Sequence, residues 1–367
     1  MILRKTYINL ETILFSIVIT LIMIFLAGRH FELDAITKIN DYEGLNIFYG
    51  RDTSIYGGTL FRIILVIVSI DMFQKMILFL TLFLSIFSSY SLAEGMTSSR
   101  IAKFYVGFLY VFNPFTYIRI LAGNWYLLFA YAILPLLVKS FIDILQNNDK
   151  KNVIKFVILV TMAAFNIHIL IIALIIMSII FMFWISKYGE IRNIKIIPIA
   201  IIIFIFLNFY WIFPLVTTKN TIIDNIGEED YKVFAPKVDN LSDLFSIASM
   251  YGFWREGYIY AKDFIPYWQL LSLLIISLAI YGFISYYKDE KIGYLVKAFG
   301  VIGIIGFILA TGINGPFGGI NHWLYDNTIL KGFRDSHKFV AMMGLAYTVL
   351  GGLGVNKIRS MVERFEV

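Results

Sequence analysis

Long apolar runs separated by short polar turns make up most of this chain. The first run covers residues 13–27 and the last covers 339–355, and several between them approach the roughly 20 residues that a helix needs to cross a bilayer. The sequence therefore predicts an all-α integral membrane protein with a single polytopic domain over residues 1–367.

Residues 153–185 form one nearly continuous apolar run that is too long for a single untilted span. One tilted helix is possible, but we favour a hairpin broken near Asn166 and His168, because polar groups at membrane depth usually face protein or a cavity. The hairpin gives about ten spans. Every short turn that this arrangement places on the cytoplasmic side carries Lys or Arg, in agreement with the positive-inside rule, and both termini lie on that side too.

Three longer polar segments then face outward and hold most of the acidic residues: 29–75, 217–266 and 312–337. Within the first, residues 59–70 are apolar but too short to span, which indicates an interfacial or re-entrant helix before the span at 76–92. The second contains Trp254 and many Tyr, so we expect a folded lid facing the membrane. Pro114 is expected to end the third span, which leaves Arg119 in an outer turn.

Composition narrows the function classes. The chain is 59% hydrophobic and 15% charged, against about 25% charged in soluble domains. It has no cysteine, which excludes disulfides and thiolate chemistry. Its net charge of +6 is spread over short loops, and no nucleic-acid-binding motif is present. No zinc-like spacing occurs and no cofactor is indicated, although the loop acids could hold a divalent cation.

The densest cationic stretch, residues 331–339, directly precedes the last apolar run. Arg334, His337 and Lys338 in this stretch are candidates for binding the phosphate of a lipid-linked donor, since Arg offers a planar fork of donors and Lys a point charge. Arg119 is a candidate for a second phosphate contact. The alternative is that these cations are snorkelling side chains or interface anchors at helix ends. Asp335 would either orient Arg334 or cap the following helix.

Asp34 is the candidate catalytic base. It lies a few residues after the first span, where a carboxylate could take a proton from a sugar hydroxyl. Partial burial would raise the pKa of such a group above its ordinary value of about 4. Glu32 and Asp41 compete for the role, and each of the three acids could instead be a solvated surface charge. His168 is expected to be a hydrogen-bonded core residue and not a proton relay.

Four patches resemble the membrane module of GT-C glycosyltransferases, and most closely the N-terminal module of the α-(1→3)-arabinofuranosyltransferase family. They occur in the family's order: Gly28-Arg29 with Asp34, Asn113-Pro114 before Gly123-Asn124 and Leu134-Pro135, residues 208–215, and residues 333–339. The last patch, Phe-Arg-Asp-Ser-His-Lys-Phe, is similar to the family's Phe-Arg-Asn-x-His-Lys-Phe run and is the most specific.

The resemblance implies a GT-C fold, a polyprenyl-phosphate sugar donor and an acidic residue of the first outer loop as base. By position these roles fall on Asp34 as base, and on Arg334, His337 and Lys338 at the donor phosphate. Family members are longer, so we expect the acceptor-binding parts to be missing or supplied by a partner subunit. The expected acceptor is an extracytoplasmic glycan, lipid or protein. The alternative function is a non-catalytic or transporter-like protein that handles lipid-linked sugars; it would need ionisable groups along a path through the bilayer.

Overall fold

A computed structural model describes residues 13–18, 20, 70–147, 149–189, 196–218 and 225–365. Throughout these ranges the chain consists of helices and connecting loops, without strands. Residues 13–18 and 20 are helical, in agreement with the predicted first span. Residues 29–69 of the first outer segment lie outside the described residues. They include 59–69 of the predicted interfacial or re-entrant helix.

The helices are numbered in chain order from the first that is described over its full length. They are α1 Ile70–Glu94, α2 Arg100–Val111, α3 Pro114–Leu121, α4 Trp125–Gln146, α5 Lys150–Ala163, α6 Ile167–Tyr188 and α7 Ile196–Thr217. The second half contains α8 Glu228–Val233, α9 Leu241–Ala248, α10 Ala261–Phe264, α11 Trp268–Tyr286, α12 Gly293–Ala310, α13 Gly318–Asn327 and α14 Val340–Phe365. Two 3₁₀ turns, Ile329–Gly332 and Ser336–Phe339, lead into α14.

Within the described residues, 8 helical segments are long and apolar enough to cross a membrane, and α2 with α3 counts as one of them. This confirms an all-α, multi-pass membrane protein. The 14-residue α5 is shorter than these segments, and most of the predicted first span lies outside the described residues. The number of ten spans therefore stays a prediction.

The predicted break near Asn166 in the long apolar run is confirmed. Helix α5 ends at Ala163 and α6 begins at Ile167. Between them, the Asn166 side chain accepts a hydrogen bond from the backbone N–H of Ile169 and so caps α6. An Asn at this position satisfies one of the donors left open at a helix N-terminus, which favours a break here over a continuous helix.

Three helix boundaries differ from the sequence expectation. Asp71, Gln74 and Lys75 lie inside α1, since neither Gly nor Pro separates them from the apolar run. Pro114 begins α3 and does not merely end α2, because the Asn113 side chain caps the new helix and Pro is well tolerated in its first turn. Helix α14 continues to Phe365, so the basic C-terminal tail is largely helical.

Helix α14 lies at the centre of the bundle and packs along α2, α11 and α12. Where α14 crosses α11, the backbones of the two helices are in direct contact. A Cβ added at Gly282 would lie 2.7 Å from the backbone nitrogen of Gly354 and closer still to the carbonyl oxygen of Leu350. Small residues at such crossings let membrane helices approach closely enough for backbone contact.

Replacing Gly282 with alanine is expected to destabilise the protein by about 1–3 kcal/mol, because the added methyl meets backbone that cannot rotate away. Gly319→Ala is the matched control, since a Cβ there has no neighbour within 4 Å. Thermal unfolding of both variants in the same detergent measures the difference. Equal unfolding temperatures for the two variants would contradict the close crossing.

The long loops lie at one end of the helix bundle and contact one another there. The Tyr117 hydroxyl donates to the carbonyl of Ile259 at 3.1 Å, and the Ser336 hydroxyl donates to the carbonyl of Ala310 at 3.3 Å. The Asn314 amide donates to the carbonyl of Lys232 at 3.0 Å. We call this the site end and the opposite one the far end. The predicted lid segment is folded, with α8, α9 and α10 in it, as expected.

Candidate functional site

A buried ion pair joins α3 to the stretch before α14. Arg119 Nη1 lies 2.8 Å from Asp335 Oδ2, across 216 positions of sequence. Arg119 is 1% exposed and Asp335 is 7% exposed, so neither charge is solvated. A buried charge is tolerated when a partner and further hydrogen bonds compensate for the lost water. The pair therefore fixes the basic stretch relative to α3.

The remaining Arg119 contacts also fix the state of His337. Arg119 Nη1 donates to the Asn124 side-chain oxygen at 2.9 Å, and Nη2 lies 3.0 Å from His337 Nδ1. Because a guanidinium has only donors, His337 Nδ1 must accept and its proton must sit on Nε2. His337 is fully buried. It is consequently a neutral imidazole that helps to hold the arginine, and its buried Nε2 makes no hydrogen bond among the described residues.

Aromatic rings enclose the guanidinium. Arg119 Cζ lies 4.7 Å from the ring centroid of Phe253 and 5.5 Å from that of Phe115. The Phe253 ring also contacts the His337 ring, at 5.6 Å between centroids. Cations over aromatic faces gain electrostatic stabilisation in a dry setting. Since Phe253 belongs to the 217–266 segment, that segment is anchored on the buried cluster.

Asp335 stays ionised at all ordinary pH values. Burial raises the pKa of its carboxyl, but the charges of Arg119 and Lys338 and the hydrogen bond from Arg119 outweigh burial and hold the pKa at about 2. The ordinary value is 3.8. The cluster thus carries a permanent carboxylate beside its cations.

Lys338 contacts the second histidine of the site end. Its Nζ lies 3.0 Å from His168 Nε2, and the same nitrogen lies 3.1 Å from the carbonyl oxygen of Gly332. One ring nitrogen cannot accept from an ammonium and donate to a carbonyl at once, so these contacts alternate with the histidine tautomer. His168 is a hydrogen-bonded residue at a helix start, in agreement with expectation.

Arg334 is the exposed cation of the stretch. Its Cζ lies 4.2 Å from the ring centroid of Phe234, and Trp254 meets the same ring edge-on at 4.4 Å. Trp254 in turn lies 5.6 Å from Phe253, which covers Arg119. A continuous series of rings therefore connects the exposed arginine with the buried one.

The predicted site residues fall into three groups. Asp34, with its competitors Glu32 and Asp41, lies outside the described residues, so its position relative to Arg334 stays a prediction. Arg334 is exposed and Lys338 is half-buried. His337 and Arg119 are buried in the cluster described above, with their contacts directed to protein groups.

Two details of the sequence interpretation are wrong. Arg119 is not an anchor at the membrane interface, because Pro114 starts a helix that directs its side chain into the protein. Asp335 pairs with Arg119 and not with Arg334, and its side chain makes no cap hydrogen bond. The reason is physical: the deeply buried arginine needs a counter-charge, whereas Arg334 is already solvated.

Sequence reasoning missed Asn124 and Phe253 as members of the site. Asn124 follows Gly123, whose φ of 66° turns the chain back toward Arg119. The glycine-asparagine pair signals a turn, but the sequence does not say which side chain that turn serves. Phe253 is one of many aromatic residues in its segment, and nothing local marks it out.

An apolar groove of about 410 Å³ opens beside the cluster. It lies between α2, α3, α11 and the 248–265 part of the lid, and its lining includes Thr116, Tyr251, Phe264, Trp268 and Ile276. Met250 lines the groove and also faces His337. The groove thus runs along the membrane-spanning helices and comes near the buried cluster at Met250, while its lining includes none of Arg119, Asp335, His337, Arg334 and Lys338.

The described residues contain no group of three or more His, Asp or Glu side chains that could hold a metal ion. Binding of a divalent cation by the loop acids stays a prediction for the residues outside that description. The chain matches no family model, no curated protein and no solved structure. The resemblance to GT-C glycosyltransferases therefore rests on the sequence patches alone.

Proposed function

We propose that this chain is a GT-C-type membrane glycosyltransferase that moves a sugar from a polyprenyl-phosphate donor to an extracytoplasmic glycan, lipid or protein. The observation that carries the proposal is the pairing of an apolar groove with a cationic site at one end of a membrane bundle. A polyprenyl phosphate has the same two parts, a long apolar chain and an anionic head.

The head of the donor would meet Arg334 and Lys338. Arg334 is exposed, and Lys338 is half-buried with its ammonium beside His168. Departure of the polyprenyl phosphate places negative charge on its oxygens, where fixed cationic donors stabilise the transition state most. Arg119, Asp335 and His337 hold the basic stretch in place, and we assign them a positioning role in the resting structure.

Asp34 would supply the base. It takes the proton of the acceptor hydroxyl as that oxygen bonds to the anomeric carbon. The bond between this carbon and the phosphate oxygen breaks, and the phosphate leaves with the electron pair. The 217–266 segment covers the reaction and excludes water. The site then lies on the outer face of the cell membrane with both termini in the cytoplasm.

The carrier alternative has less support. In the described spans, Arg119 is buried at the site end and Lys103 near the far end, while the buried Lys139 lies farther inside the span, seven residues before the end of α4. Between them lies the stacked pair Tyr110 and Tyr131, whose ring centroids are 4.2 Å apart. A carrier of charged head groups needs ionisable residues along its path, so the distribution favours an enzyme.

Replacing Asp34 with asparagine is expected to lower sugar transfer by about 10²–10⁴-fold, because the acceptor loses its general base. Binding of the polyprenyl-phosphate sugar should remain, since the phosphate contacts are elsewhere. Transfer of labelled sugar and native mass spectrometry of the bound donor give the two readouts. Glu32→Gln and Asp41→Asn are the matched controls. Full turnover by Asp34→Asn, or loss in a control instead, would contradict the assignment of the base.

A further inference from the structure

A second apolar groove, separate from the one beside the cluster, lies between α11 and α12. It has a volume of about 610 Å³ and is floored by α14. Its lining includes Ile280, Phe283, Lys297, Gly303, Ile304 and Ala346, and Lys297 is the charged member. We call it the α11–α12 groove. Nothing in the proposed glycosyl transfer uses it.

Glycines lie beside this groove. Gly282 lets α11 approach α14 closely at one height, and Gly300 and Gly303 of α12 line the groove; a Cβ at Gly303 would lie 3.2 Å from that of Ala346 on α14. The Phe283 ring closes the lower part, because a Cβ at Gly300 would lie 2.6 Å from its Cε2. The rest of the groove is open between α11 and α12.

The α11–α12 groove is suited to bind a hydrocarbon chain. The groove lies within two spans, α11 and α12, and its walls provide almost no hydrogen-bonding partners for water. Left empty, the lining would lose its van der Waals contacts on one side. From Lys297 to Phe307 the helix rises about 15 Å at 1.5 Å per residue, enough for a long stretch of acyl chain.

The head group is indicated by Lys297. This side chain is exposed and has no ion pair or hydrogen bond in the described part of the chain. It lies on the first turns of α12, about 6 Å from the helix start at the far end. An ammonium at that depth reaches the phosphate level by snorkelling. The adjoining turn at residues 288–291 carries two acids and two bases, so it does not cancel the charge of Lys297.

We propose that the α11–α12 groove binds one anionic phospholipid, with an acyl chain along Gly303 and Ile304 and the phosphate on Lys297. Such a lipid completes the packing of α11, which is otherwise largely exposed. Ala248, Ile276 and Tyr347 line both grooves, so the lipid also supports the wall of the groove at the site end.

Native mass spectrometry of the full chain tests this site. The delipidated protein is titrated with phosphatidylglycerol and phosphatidylcholine that carry identical acyl chains. The wild type should retain one phosphatidylglycerol with preference. Lys297→Gln should reduce that preference about fivefold, the effect of one cation near an anionic head group. Ile280→Trp should weaken both lipids, because the indole fills the channel.

Two controls separate the site from general lipid adhesion. Lys357→Gln removes a lysine of the same end that does not line the groove. Leu274→Trp enlarges a side chain of α11 that is 56% exposed, close to the 54% of Ile280, and lines neither groove. Both controls should bind as the wild type does. Unchanged preference in Lys297→Gln, unchanged binding in Ile280→Trp, or an equal effect in either control would overturn the proposal.

Discussion

Asp335→Leu and Arg119→Met are each expected to lower the free energy of unfolding by about 3–5 kcal/mol, because each leaves the other charge buried and unpaired. The Asp335 and Arg119 side chains are 10% and 1% exposed, so water cannot replace the lost partner. The double variant Arg119→Met/Asp335→Leu should be more stable than either single one, since it removes both charges. Chemical unfolding in one detergent measures all three.

The exposed ion pair Lys237–Glu256 provides the comparison. Its side chains are 76% and 79% exposed, and Lys237→Ala should change stability by less than about 0.5 kcal/mol. If the buried singles cost no more than this surface change, the ion pair does not hold α3 to the basic stretch. The positioning role of Arg119 would then be wrong.

The stability difference between the wild type and Asp335→Leu should depend on pH in a defined direction. The folded pKa of Asp335, about 2, lies below the ordinary value of 3.8. Its contribution is therefore fully present above pH about 4 and is lost as the pH falls from there toward 2. A difference that instead grew on acidification would contradict the ionised carboxylate.

Arg334→Ala is expected to weaken binding of the polyprenyl-phosphate donor about 10–100-fold, since it removes a charge-assisted contact with the phosphate. Folding should be unchanged because Arg334 is exposed and, within the part of the chain that the structure describes, its contact is with the Phe234 ring. Donor affinity measured by native mass spectrometry, together with the unfolding temperature, separates binding from stability.

Arg255→Ala is the matched control for that measurement. Arg255 is also exposed, belongs to the lid segment that supplies Phe234, and lies over an aromatic ring, Tyr258, at 5.5 Å. It should bind donor as the wild type does. Equal affinities for Arg334→Ala and Arg255→Ala would remove Arg334 from the phosphate site.

The sequence predicted the helical membrane class, the break at Asn166 and a folded lid, because each depends on local information. Apolar run length decides spanning, and an Asn before a new apolar stretch can cap a helix. The role of Pro114 was ambiguous for the same local reason, since proline suits both the residue after one helix and the first turn of the next.

The arrangement of the site was beyond local reasoning. Arg119 and Asp335 are 216 positions apart, and no periodicity pairs residues across that distance. The packing of Phe234 and Phe253 also decides which cation of the basic stretch stays exposed. The chain has 34 phenylalanines, and nothing in the sequence singles out these two. Packing around the buried pair, and not the density of charge, separates Arg334 from His337.

If Asp34 and Arg334 act on one phosphosugar, their side chains must lie within the length of that molecule, and the distance between them can be measured. The chain has no cysteine, so Asp34→Cys/Arg334→Cys would carry its only two thiols. A thiol crosslinker as short as one phosphosugar should join the two cysteines within single chains in the membrane. Failure of that crosslinker, with efficient joining only by reagents several times longer, would contradict a shared site.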